Sequence, residues 1–81
     1  MTHELKILPQ YYQAVIDGRK TFELREDDRG YKEGDNIHFR EWTGQYTGRE
    51  TIRHIPYILR DCPEYGLKQG YCILALEAVK Q

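Results

Sequence analysis

Only one stretch of this chain repeats with the period of a helix, and it is too short to cover a sheet. From Gln10 to Asp17 the apolar positions Tyr12, Val15 and Ile16, flanked by Tyr11, fall on one helical face. Pro9 suits a helix first turn, and Gly18 tolerates the positive φ with which helices commonly end. The other patterned stretches read as strands. "HELKIL" near the start alternates weakly, Lys20 to Arg25 forms a second run and "NIHFREW" a third. "RETIRHIPYIL" returns as a fourth, in which Pro56 cannot donate to a ladder and so marks an edge, a bend or a bulge. "YCILALEAV" is apolar on both faces, the pattern of a central strand covered on both sides. Between the runs, Gly30, the Gly34-Asp35 pair and "TGQYTG" carry turn chemistry.

One helix cannot cover both faces of a five-stranded sheet. A sheet curled into a closed or nearly closed barrel buries its own interior and removes exposed edges. The expected fold is therefore α+β and mainly β: a curled, mostly antiparallel five-stranded sheet with the helix at one opening. The 81 residues suffice for one small domain, 1–81, with a modest core. That core is expected to hold Ile7, Val15, Phe22, Leu24, Phe39, Ile73, Leu74 and Leu76, at its centre or its edge.

Charge narrows the function. Twelve Lys and Arg against 13 Asp and Glu give a net charge of -1. A generic nucleic-acid binder is strongly basic, so any contact with RNA or DNA here is expected to be local. No apolar run approaches a membrane span and no signal-peptide pattern opens the chain, so a cytoplasmic protein without a membrane partner is expected. Cys62 and Cys72 are too few for a disulfide framework, and Cys72 reads as a small buried hydrophobe. Neither has a ligand at metal-site spacing, and His3, His38 and His54 are scattered. No metal and no cofactor are expected.

The candidate chemistry lies in "DGRKTFELRED", residues 17 to 27. In a strand, Phe22 and Leu24 form an oily face opposite Thr21, Glu23 and Arg25, with Arg19 and Lys20 at its mouth. Arg25 can hold a phosphate or carboxylate through two parallel hydrogen bonds. Lys20 adds a compact charge, and Glu23 can accept from an exocyclic amine or act as a base. The plainer alternative is a solvated strand face on which Glu23 and Arg25 merely pair, a contact worth under ~1 kcal/mol. Tyr31, Tyr46, Trp42 and Tyr71 are rings on which bases could stack. Trp42 reads as core edge, whereas Tyr31 and Tyr71 join the candidate ligand contacts. Arg49, Arg53 and Arg60 are offset by Glu50, Asp61 and Glu64 and read as solvated.

Gly18, Lys20, Glu23 and Arg25 fit the pattern GxKxxExR at a helix-to-strand junction. With "GYKEGDNIHFREW" and "GLKQGYCILALE", this resembles the ASCH domain, a branch of the PUA-like superfamily, and in particular a small bacterial and phage subgroup of it. The resemblance implies a PUA-like pseudo-barrel whose Lys20, Glu23 and Arg25 border a cleft beside the helix. It also implies binding of RNA, a nucleotide or a modified nucleoside, with Lys20, Thr21, Glu23, Arg25, Tyr31 and Tyr71 as ligand contacts. Some small members are amidohydrolases acting on acylated cytidine, and others have been described as ribonucleases. In an enzyme of that kind Lys20 and Glu23 would be the catalytic residues. The amidohydrolases have threonine where this chain has Glu23, and they use a later-loop glutamate for which Glu64 is the obvious counterpart. A phage or regulatory protein-interaction module is the remaining alternative.

Overall fold

Residues 1–79 are described by the computed structural model, and strand alternation organises most of them. The elements are β1 (Thr2–Ile7), α1 (Pro9–Ile16), β2 (Phe22–Glu26), β3 (Asn36–Trp42), β4 (Tyr46–His54), β5 (Ile58–Leu59), β6 (Tyr71–Ala75) and β7 (Glu77–Ala78). A single 3₁₀ turn, Pro63–Tyr65, lies between β5 and β6. The helix starts where Pro9 places it and buries a narrow stripe, Tyr12 and Val15. It ends as expected: Gly18 takes φ +78° and its N–H reaches the Val15 carbonyl at 3.1 Å.

The described residues form two sheets rather than one closed barrel, in the orders β1-β3-β4-β7 and β2-β6-β5. Five expected strands become seven because two of them turn a corner and change sheet. The first corner is at Pro56, where the missing N–H interrupts the ladder. The fully buried Ile55 is fixed there by backbone bonds to Gly34 and Asp35 at 2.8 and 2.9 Å. The second corner is at Leu76, whose N–H reaches the Thr21 carbonyl at 2.9 Å. Both corners join the sheets on one side, where β5 and β7 are the outer strands. On the other side the outer strands are β1 and β2, and no ladder connects them. Except for β1 and β3, which run parallel, the pairings are antiparallel.

The space between the sheets is filled by one apolar cluster that includes Leu5, Tyr12, Phe39, Ile55, Cys72 and Leu74. Ile7, Val15 and Leu76 belong to it as expected, and Ile73 is half-buried at its margin. Phe22 and Leu24 do not belong, being 49% and 55% exposed. The register explains this correction. Glu23 lies opposite Leu74 and Arg25 opposite Cys72, and directly paired residues share a face of the sheet. Leu74 and Cys72 are fully buried, so the polar side of β2 faces inward. Phe22 and Leu24 share the outer face with Ala75 and Ile73. The last strand is accordingly central in its sheet but covered well on only one face.

The N-terminus is fastened by a buried carboxylate. Asp35 Oδ2 contacts His3 Nε2 at 2.8 Å and accepts the Lys32 N–H at 3.0 Å, while Oδ1 accepts from the terminal ammonium at 3.3 Å. The His3 contact, and then the Lys32 and terminal N–H groups, hold the Asp35 carboxyl down at about 2 instead of 3.8. A carboxyl depressed by folding stabilises the fold fully above its unfolded value and loses that contribution as the pH falls toward its folded one. Roughly 2 kcal/mol of stability is therefore expected to disappear between about pH 4 and pH 2. Acid titration followed by circular dichroism reads this loss. Asp35→Asn should be less stable at neutral pH and lack that part of the acid transition.

Candidate ligand-binding cleft

The sheets part between β1 and β2, and a cleft of about 780 Å³ opens there beside α1. Its charged floor is set by the way the chain leaves the helix. The N–H groups of Arg19 and Lys20 both return to the Ala14 carbonyl, at 3.0 and 2.9 Å. That curl holds Lys20 beside the first turn of β2. Its Nζ donates to the Phe22 carbonyl at 2.7 Å and forms a close ion pair with Glu23 Oε1. Arg25 Nε donates to Glu23 Oε2 at 2.7 Å, and its Nη2 crosses the gap to the Lys6 carbonyl on β1 at 2.6 Å. The Glu23 side chain is only 10% exposed, so one buried carboxylate carries a cation on each oxygen.

This arrangement limits what each group can do. Each Glu23 oxygen accepts from one cation and the side chain is nearly buried, so its main role in this state is to orient Lys20 and Arg25. An ammonium has three donors and a guanidinium five. The contacts above use two of each, leaving donors on both cations, and both residues line the cleft. Two immobilised cations on one anion form a preorganised receptor for an anionic group. The walls are apolar and aromatic. The Phe22 and Tyr11 ring centres lie 5.3 and 6.0 Å from Lys20 Nζ, and Leu8 and Leu24 complete the rim. Among the described residues, no three His, Cys, Asp or Glu side chains gather as a metal site.

Of the residues singled out in the sequence, Arg19, Lys20, Glu23, Arg25 and Tyr71 line the cleft. Thr21 does not line it; its carbonyl serves the Leu76 corner. Tyr31 is 2% exposed and sits in the core, its ring edge-on to His3 at 4.7 Å, so it is not available to a ligand. Burial pushes its hydroxyl pKa up. Glu64 lies in the 3₁₀ turn, away from the cleft lining. Of the arginines read as solvated, Arg49 is indeed exposed, whereas Arg53 and Arg60 are partly buried, and all three make contacts within the fold. Arg49 reaches Gln13 at 3.1 Å and the buried Glu41 at 3.7 Å, Arg53 reaches the Val15 carbonyl, and Arg60 pairs with Asp27 at 2.8 Å. Tyr11, Phe22, Leu8 and Lys6 are cleft residues that spacing alone did not single out. Their common signal is exposure on an open edge, which needs the register of β2 and the position of β1.

Two β-sheets joined at corners on one side and parted on the other, with one helix beside the gap, define a small, mainly β domain. The chain belongs to the family described as a domain of unknown function, DUF3850, whose profile matches residues 2–76. It is also similar to an "Uncharacterized 12.9 kDa protein in GpA 3'region" of Escherichia phage P2. The two are 41% identical over 54 residues, covering 65% of this chain and 50% of the phage protein. The chain thus spans about half the length of that curated relative. Among the described residues no helix is long and apolar enough to cross a membrane.

Proposed function

We propose that the cleft binds one nucleotide unit, of RNA or of a modified nucleotide, within a PUA-like, ASCH-type frame. The observation that supports this reading is the pair Lys20 and Arg25 held on one buried carboxylate beneath aromatic walls. The phosphate takes the remaining donors of the two cations, and the base lies against Phe22, the ring nearer to Lys20. Glu23 serves as the group that aims the cations, not as an acceptor for the base edge. With a net charge of -1, binding draws on this local field, and affinity should fall with salt as a few phosphate contacts require.

Phe22→Ala tests the reading. The ring is half-exposed and outside the core, so stability should move by only about 0.5 kcal/mol or less. Stacking is worth about 1–3 kcal/mol per base, so affinity for cytidine monophosphate, measured by calorimetry, should fall ~5- to 150-fold. Unchanged affinity in a folded variant would sink the assignment of the base to this wall.

The direct contact of Lys20 with Glu23 favours a second reading, a hydrolase of an amide on an acylated cytidine or of a phosphodiester. An ammonium touching a carboxylate is placed to exchange a proton during turnover. Chromatography of acylated cytidines and short RNAs after incubation with the protein distinguishes a hydrolase from a binder.

A further inference from the structure

We infer that the ligand path continues from the cleft over the β1 edge onto the outer face of the four-stranded sheet, where it takes further nucleotides of a single-stranded nucleic acid. This rests on the nucleotide reading of the cleft and adds the class of ligand: a polynucleotide strand in place of an isolated nucleotide.

A second depression of about 430 Å³ adjoins the first and shares Lys6 and Arg25 with it. Arg25 and Arg29 sit along the open edge of β1 on carbonyls two residues apart, Lys6 at 2.6 Å and Glu4 at 2.8 Å. Two residues of strand advance roughly 7 Å, so the guanidinium groups form a ladder of positive charge leading out of the cleft. Beyond it the register brings Lys6, Arg40, Trp42 and Tyr46 onto one face, with Glu50 opposite Arg40 and held by His38 at 3.0 Å. Lys6 lies opposite Arg40, and Trp42 opposite Tyr46. The Arg40 guanidinium stacks 3.8 Å from the Tyr46 ring centre, and Lys6 Nζ lies 4.6 Å from that of Trp42. Tyr46 is 41% exposed.

Cations stacked on part-exposed rings give a surface to which single strands can bind: phosphates follow the charge and bases stack on rings or guanidinium planes. Glu4 is the one acid lining the second depression, against Lys6, Arg25 and Arg29, and it is drawn toward Arg40 at 3.6 Å. An acidic peptide would use the cations but leave Tyr46 and Trp42 without a role, so the rings favour nucleic acid.

The experiment measures anisotropy or calorimetric affinity for cytidine monophosphate, a mixed-sequence trinucleotide and an octanucleotide, with a polyglutamate peptide as competitor. Parent protein, Arg40→Ala and Tyr46→Ala are compared, each checked for an unchanged melt. In the parent, affinity should rise about tenfold or more from mononucleotide to octanucleotide. Each variant should lose most of that rise yet keep mononucleotide affinity within about twofold, and Arg40→Ala should lower the salt slope for the octanucleotide by ~0.7. A parent whose affinity does not grow with length, variants that retain the growth, or polyglutamate that displaces the octanucleotide with equal affinity would each overturn the inference. The mononucleotide arm reports on the cleft alone. Failure there removes the nucleotide reading of the cleft, whereas a missing length effect with the mononucleotide bound removes only the strip.

Discussion

Phe39→Ala is expected to cost roughly 3–5 kcal/mol, the range for emptying a phenylalanine-sized core site. Phe39 is fully buried on β3, between Leu5 of β1 and Thr51 of β4 in the register. A chain of 81 residues has about 4–12 kcal/mol of stability in all. At about 4–8 °C per kcal/mol, the midpoint should drop by at least ~12 °C, or the protein should be unfolded at room temperature. Leu24→Ala is the control. Its side chain is more than half exposed on the outer face of β2, so its loss should stay below about 1 kcal/mol. Equal losses in thermal melts of the two variants would contradict the inward-facing polar side of β2.

Glu23→Gln carries the second large effect. The amide offers its oxygen to one cation and turns its NH₂ toward the other, so a buried, doubly paired site becomes half-paired. Removing one partner of a buried ion pair costs about 3–5 kcal/mol. Arg25 is 29% exposed here, so roughly 2–3 kcal/mol is expected. For ligand affinity, two arguments point in opposite directions. The cleft gains a positive charge, which by itself attracts phosphate, but Lys20 and Arg25 lose the carboxylate that aims them. Orientation should win, with cytidine monophosphate binding about tenfold weaker by calorimetry. Tighter binding in Glu23→Gln would show that net charge, not orientation, governs the site. A hydrolase would also lose ~100-fold or more of its turnover in the same variant while still binding.

The helix was legible because Pro9 and Gly18 bracket a single run of helical period, and β3 because Ile37, Phe39 and Glu41 alternate cleanly with its outer face. That alternation puts Glu41 on the same face as Ile37 and Phe39; the face is buried, and Thr47 and Arg49 satisfy the carboxylate there. One of the two corners was announced by Pro56. The other was hidden, because "ILALEA" stays apolar through Leu76 and offers no break. In β2 alternation identified which side chains belong together, but alternation is unchanged when the two faces are exchanged. The rule that oily residues face inward then chose wrongly, since Lys20 and Arg25 make an inward Glu23 tolerable while Phe22 and Leu24 stay beside an open cleft. Tyr31 was misplaced for a different reason. Its partner His3 is 28 positions away in the chain and is held by Asp35, a contact that no local spacing encodes. The GxKxxExR residues were the legible part of the cleft; the β1 side of it depends on how the two sheets meet.

A backbone ladder is indifferent to side-chain identity, so strands held by one keep their pairing as the sequence drifts. The gap between β1 and β2 is spanned instead by side chains, with Arg25 on the Lys6 carbonyl and Arg29 on the Glu4 carbonyl. The two halves of the molecule stay hinged at Ile55–Pro56 and Leu76 whatever happens at that seam. Point substitutions there can therefore reset the width and polarity of the opening while every ladder stays intact. The chemistry of the opening is in this way uncoupled from the architecture that carries it, so the seam can change while the scaffold does not.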